Sequence, residues 1–186
     1  MSKFADYEPG AGRLPHLSVH DGLVIQPPRE SDLPALAAIA AEREGEPLAD
    51  WLAAFERIHA ESRAGRALIL AATLDDLVAG YGKAGYFVPP ADSSPNVAPE
   101  GWYLTGVVIR PAYRRLGLGS QLTRARLAWI AGRSDRAYYI ANERNRVSID
   151  LHRALGFEEL TRDFHHPHVR FEGGCGILFV RELSTR

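Results

Sequence analysis

Arg114-Arg115-Leu116-Gly117-Leu118-Gly119-Ser120 stands between a β-branched apolar run ending at Ile109 and an amphipathic stretch that begins near Gly119. Residues of these types at such a junction can bind an anion. Gly117 and Gly119 let a ligand oxygen approach the main chain, the unpaired N–H groups of a helix's first turn point at it, and the helix dipole favours its charge. Arg114 and Arg115 add positive charge suited to a group with several phosphates. The same residues also make an ordinary strand-to-helix turn with two solvated arginines, and the spacing alone does not separate the two readings. It does exclude two other phosphate loops. The dinucleotide fingerprint requires a third glycine where this chain has Leu122, and a P-loop requires Gly-Lys-Ser/Thr, which is absent.

The elements that must position this loop follow from periodicity. Residues 102–109 read as a central strand covered on both faces and stopped by Pro111. The helix after the loop carries Leu118, Leu122, Ala125 and Trp129 as its buried stripe and closes at Gly132. Upstream, residues 23–25 form a short strand ahead of Pro27-Pro28, and Ser31-Asp32 caps a helix with Leu33, Leu36, Ile39 and Ala40 on one face. Another helix over residues 50–62 presents Trp51, Leu52, Phe55 and Ile58 and ends at Gly65. Strands 67–72 and 77–88 make a hairpin about Asp75-Asp76, and residues 89–99, with four prolines, form a loop long enough to be a lid or specificity element, or simply a surface excursion. Downstream come a strand at 137–141, a helix at 147–155 capped by Gly156, and a strand pair at 157–164 and 176–183. The order β-α-α-β-β-β-α-β-α-β-β predicts a mixed, strongly twisted α/β sheet flanked by helices. Residues 21–186 read as one domain, preceded by an irregular arm over residues 1–20.

Val107-Val108-Ile109-Arg110-Pro111-Ala112-Tyr113-Arg114-Arg115-Leu116-Gly117-Leu118-Gly119, followed by Asn145-Arg146-Val147-Ser148 and Leu151-His152-Arg153-Ala154-Leu155-Gly156-Phe157, resembles the GNAT superfamily of acyl-CoA-dependent N-acyltransferases. The upstream segment is similar to the family's coenzyme A pyrophosphate loop, matched at Arg114, Gly117 and Gly119. The downstream segment is similar to the family's C-terminal motif. The pair Leu151-His152 is similar to the branch of phosphinothricin acetyltransferases. The resemblance implies a GNAT fold and acetyl-CoA as cofactor. It implies that the loop Arg114, Arg115, Leu116, Gly117, Leu118, Gly119 and Ser120 holds the pyrophosphate, and that backbone amides of Val107, Val108 and Ile109 bind the pantetheine arm, with one near Val108 facing the thioester oxygen. Asn145 would hydrogen-bond the arm or cap its helix, and Ser148 is small enough to let the arm pass. His152 stands where many members place a tyrosine as general acid; it protonates the leaving sulfur or packs beside the cofactor. Glu100 is the first candidate for the general base, with Tyr103 and Thr105 on the same strand, although an exposed loop acid is its simpler description.

The implied reaction is transfer of an acetyl group from acetyl-CoA to a small-molecule amine within a ternary complex. A protein or peptide amine, or acyl-CoA binding without catalysis, are the alternatives. The chain of 186 residues, 46% apolar with net charge −1, argues against a nucleic-acid partner. Its charge is uneven: Glu30 to Asp76 holds ten acidic and four basic side chains, whereas Arg110 to Arg153 holds ten arginines and three acids. The basic stretch suits a polyphosphate ligand; the acidic one suits solubility first and a cationic acceptor after that. A single cysteine, no signal-peptide pattern and no apolar span predict a cytoplasmic protein away from membranes. A homodimer is left open. His165-His166-Pro167-His168 reads as a loop near the acceptor rather than a metal site, because proline interrupts it and only Asp163 lies close by. Cys175, within Gly173-Gly174-Cys175-Gly176, reads as part of a bend entering the last strand, of the buried kind usual for free cysteines.

Overall fold

The computed structural model describes residues 22–171 and 173–183; the arm expected over residues 1–20 lies outside them. Seven strands form one sheet in the order β1-β2-β3-β4-β5-β7-β6. They are β1 (Leu23–Gln26), β2 (Ala67–Leu74), β3 (Leu77–Phe87), β4 (Gly101–Ile109), β5 (Arg136–Asn142), β6 (Glu158–Thr161) and β7 (Gly176–Glu182). Every neighbouring pair is antiparallel except β4 with β5. The last strand in sequence is inserted between β5 and β6, an exchange that hydrophobic patterning does not reveal.

Helices α1 (Leu33–Glu44) and α2 (Leu48–Arg63) cover one face of the sheet, and α3 (Leu118–Ala131) and α4 (Arg146–Ala154) the other. Strand β2 is apolar throughout for this reason: Leu68, Leu70 and Ala72 pack with α3 residues, while Ile69 and Ala71 pack with Leu36, Ile39 and Phe55. Fully burying side chains such as Leu36, Ile69 and Leu122 contributes roughly 1.5–3 kcal/mol each. The hairpin turn forms at Asp75 and Asp76, whose φ values of 49° and 62° match the twist of the flanking strands.

Three local expectations change. Asp32 does not cap α1; its carboxylate accepts the Arg29 N–H at 2.8 Å and closes a 3-10 turn over Glu30–Asp32 instead. The buried stripe of α3 is Leu118, Leu122, Thr123, Arg126, Leu127 and Ile130, so Ala125 and Trp129 lie at its margin and an arginine lies within it. On α2 only Phe55 is buried, because the helix stands partly off the sheet. The prolines of residues 89–99 do not leave that loop loose: Ala98 N–H donates to the His165 carbonyl at 2.8 Å, and Asn96 Nδ2 donates to Asp163 at 2.9 Å.

Candidate active site

Strand β4 pairs with β3 along its length but with β5 only at Tyr103↔Tyr138 and Leu104↔Tyr139. Beyond Leu104 the two strands part, and β4 has an open edge. The parting begins at a bulge: Lys83 on β3 stands against both Thr105 and Gly106, and Gly106 takes a φ of 86° that favours glycine. Arg110 N–H donates to the Ala79 carbonyl at 2.9 Å, which makes Gly80↔Ile109 a pair without mutual hydrogen bonds. By alternation the N–H and C=O groups of Val107 and Ile109 face the open edge, and those of Val108 face Tyr81. Of the three amides expected to meet the arm, those of Val107 and Ile109 are the ones presented at the open edge, one residue to either side of Val108, whose own amide faces β3.

At the end of that edge, a 3-10 turn (Pro111–Tyr113) leads into the glycine loop. Gly117 is left-handed, with φ 77°, and its carbonyl accepts the Gln121 N–H at 3.1 Å. The N–H groups of Leu118, Gly119 and Ser120, ahead of that first helical bond, point out of the N-terminus of α3. Arg114 is exposed and folds back so that Nε donates to the Ile109 carbonyl at 3.3 Å; Arg115 is exposed with φ 66°. The Leu118 side chain is buried, so only its main chain is offered to a ligand.

The C-terminal motif lies against this loop. A Cβ placed on Gly119 would meet Leu151 Cδ2 of α4 at 3.6 Å. Asn145 Oδ1 accepts the Ser148 N–H at 3.3 Å as the cap of α4, and Ser148 Oγ accepts from the Tyr139 hydroxyl. His152 is 1% exposed and stacks on Tyr139 with ring centroids 3.7 Å apart and planes 6° from parallel. The Ser148 carbonyl at 2.8 Å can only accept, so His152 Nδ1 carries the proton; Nε2 is buried with no partner. Burial pushes the imidazole down to about 3, so the ring is neutral at pH 7 and Nε2 is a lone pair.

The sequence profile of the acetyltransferase (GNAT) family matches residues 33–157, about two thirds of the chain and both motifs. The chain belongs to the GNAT acetyltransferase family. Solved structures with the same fold include yncA of Salmonella typhimurium with its cofactor acetyl-CoA (19% identity, 89% of this chain and 96% of that one, TM-score 0.66). A PaiA N-acetyltransferase from Thermoplasma acidophilum with coenzyme A (15%, 86% and 98%, TM-score 0.61) is another. So is the ribosomal-protein-S18-alanine N-acetyltransferase of Escherichia coli (20%, 88% and 96%, TM-score 0.58). No curated protein sequence matches at a significant level.

In this GNAT acetyltransferase the donor set fits acetyl-CoA. Outward amides and two arginines lie at the α3 N-terminus, an open strand edge leads away from them, and an orphaned Nε2 is buried in the adjoining α4. Glu100, in contrast, sits at the other end of β4, eight residues or about 26 Å of strand from Val108. There it is exposed and accepts the Tyr86 hydroxyl at 2.8 Å, so the fold does not bring it to the open edge. Tyr103 is buried with its hydroxyl donated to the Pro99 carbonyl at 2.7 Å, while Thr105 is exposed at the bulge.

Arg126 is the residue that sequence reading missed. It is fully buried, and Nη1 donates to the carbonyls of Lys83 at 2.9 Å and Gly106 at 3.1 Å, while Nη2 donates to Thr123 and Nε to Leu122. It ties α3 to both sides of the bulge. Gly82 makes room for it, since a Cβ there would come within 2.9 Å of Nε. The hint in the sequence is only that Arg126 follows Leu122 at helical spacing among apolar positions, which a surface arginine would not do.

His166 packs at a tilt on Phe87, with centroids 4.2 Å apart, and approaches Tyr103 at 5.7 Å, on the sheet face opposite α3. Among the described residues no three His, Cys, Asp or Glu side chains converge as a metal site. Cys175 is exposed rather than buried, and its N–H donates to Glu143. Among the described residues no helix is long and apolar enough to cross a membrane.

Proposed function

We propose that this acetyl-CoA-dependent acetyltransferase acts on the primary amine of a small molecule by direct transfer in a ternary complex. The observation that carries the reading is the open β4 edge running into the N-terminus of α3. Amides of Leu118, Gly119 and Ser120 with Arg114 and Arg115 hold the pyrophosphate, and the main chain of Val107 and Ile109 receives the arm as an added strand. Acetyl-CoA supplies an activated thioester. The chain supplies position: fixed main-chain groups orient the carbonyl for attack without reorganising. Asn145 and Ser148 set the start of α4 beside the arm, and His152, being neutral, offers Nε2 as a hydrogen-bond acceptor to it. Thr105, exposed at the bulge, gives water a path by which the attacking amine's proton leaves. A small acceptor is supported by a cleft of about 390 Å³ under α2 and by the fastening of residues 89–99 to the 163–165 segment.

Titration calorimetry with acetyl-CoA, beside free coenzyme A and ATP, tests the site. Binding of both coenzyme forms but not ATP is expected, and Gly117→Glu, which puts an acidic side chain at a left-handed position facing the phosphates, should weaken binding at least ~100-fold. Tight binding by that variant overturns the site. Thiol release with peptide N-termini but with no small amine overturns the acceptor class, and stoichiometric binding with no transfer at all overturns catalysis.

A further inference from the structure

We propose that Lys83 anchors a carboxylate on the acceptor, so that the amines acetylated are those of molecules of the amino-acid class. The inference rests on the acetyltransferase reading above. Helix α2 stands off the sheet and leaves a cleft of about 390 Å³, with Trp51, Phe55, Ile58 and the exposed Arg57 on the helix wall and Lys83 and Ala67 of the sheet on the other. The Lys83 ammonium lies 5.9 Å from the ring centroids of both Phe55 and Tyr81. Two aromatic faces hold a cation but give its N–H donors no oxygen. Among the described residues the Lys83 ammonium makes no ion pair or hydrogen bond; Glu61, the carboxylate lining the same cleft, is taken by Arg66 in a two-pronged pair. The indole N–H of Trp51, on the facing wall, also has no acceptor. Burial draws the lysine pKa down, and the more distant Glu44 carboxylate opposes this only in part, as befits a half-buried cation without a contacting counter-charge.

The position of Lys83 links the cleft to the reacting edge. A Cβ on Gly106 would lie 3.8 Å from Lys83 Cε, so the lysine stem runs beside the bulge where the open edge of β4 begins. Gly85, the next residue on that face of β3, has nothing within 4 Å of where a Cβ would stand. An acceptor whose carboxylate meets Lys83 has Thr105 opposite it across the bulge, and free space over the neighbouring Gly85, which stands against Tyr103. One ammonium balances one carboxylate, and the apolar wall suits a short aliphatic or aromatic side chain. The acidic bias of residues 30–76 does not enter this cleft as free charge: Glu30 pairs with Arg63, and Glu61 with Arg66.

The test is thiol release with the twenty protein amino acids, each beside its carboxamide and its decarboxylated amine, for the wild-type chain and Lys83→Met. The wild type is expected to favour at least one amino acid over its carboxamide by about tenfold or more in kcat/KM, mostly through KM, as a charge-assisted hydrogen bond requires. Lys83→Met should collapse that ratio toward one, and Lys83→Arg should retain part of it. A wild-type enzyme that acetylates amines while ignoring the carboxylate overturns the inference and leaves the acetyltransferase reading intact, and so does a ratio unchanged in Lys83→Met. Should Lys83→Met not fold, the wild-type panel alone decides. Failure of the wild type to bind acetyl-CoA by calorimetry overturns both.

Discussion

His152 has one proton to give at neutral pH, and the Ser148 carbonyl holds it. The ring sits between a helix and Tyr139, where charging it would place an imidazolium in an apolar layer beside the buried Arg126. Its folded pKa of about 3 lies well under the value near 6.5 of an unfolded histidine. As pH falls, the unfolded chain therefore takes up this proton first. Stability contributed above pH 6.5 is lost progressively toward pH 3, at up to ~1.4 kcal/mol per pH unit. Urea denaturation at pH 7 and pH 5 should show the wild type losing about 2 kcal/mol more than His152→Phe over that interval. A kcat profile with an inflection between pH 6 and 7 that His152→Phe removes would instead return the residue to the role of general acid.

Between elements, the open edge of β4 depends on a strut. Arg126 carries its charge into the core in order to bridge the Lys83 and Gly106 carbonyls, one on each strand of the bulge. Arg126→Met removes a costly buried cation but strands two carbonyls, so a net loss of about 1–3 kcal/mol in urea is expected. Acetyl-CoA affinity should fall more than stability does, because the bulge is then free to relax. The same edge has a directional test. Val107→Pro deletes an N–H that faces outward and spares the ladder to β3, so it should fold, by circular dichroism, and yet bind acetyl-CoA at least ~10-fold more weakly. Val108→Pro deletes a ladder bond and should destabilise the sheet itself. Equal effects of the two on stability would show that the register faces the other way.

At the scale of the molecule the charge is divided. Ten arginines fall between residues 110 and 153 of the sequence, Arg114 and Arg115 among them in the phosphate loop, whereas the small α2 cleft is lined by two cations, Lys83 and Arg57, with Lys83 on the sheet side. Coenzyme binding should accordingly weaken several-fold between 50 and 500 mM salt, since exposed Arg114 and Arg115 are screened. The KM of a small acceptor should change less, its counter-charge being half-buried. A salt response equal for both ligands would place the acceptor on the arginine face and separate it from the α2 cleft.

The sequence by itself determined the glycine loop, the hairpin at Asp75-Asp76, the Asn145 cap and the alternation of helices and strands, because each is written in residues close together in the chain. Left-handed φ, missing N–H groups and 3.6-residue spacing are local properties, and local properties survive without knowledge of the fold. The tertiary structure alone decided the rest. It moved β7 between β5 and β6, turned the Val108 main chain away from the open edge, buried Arg126, and set Lys83 beneath α2. Each of these depends on which strand lies beside which and with what register. A one-residue slip reverses the facing of every backbone group, and sequence periodicity is the same before and after it.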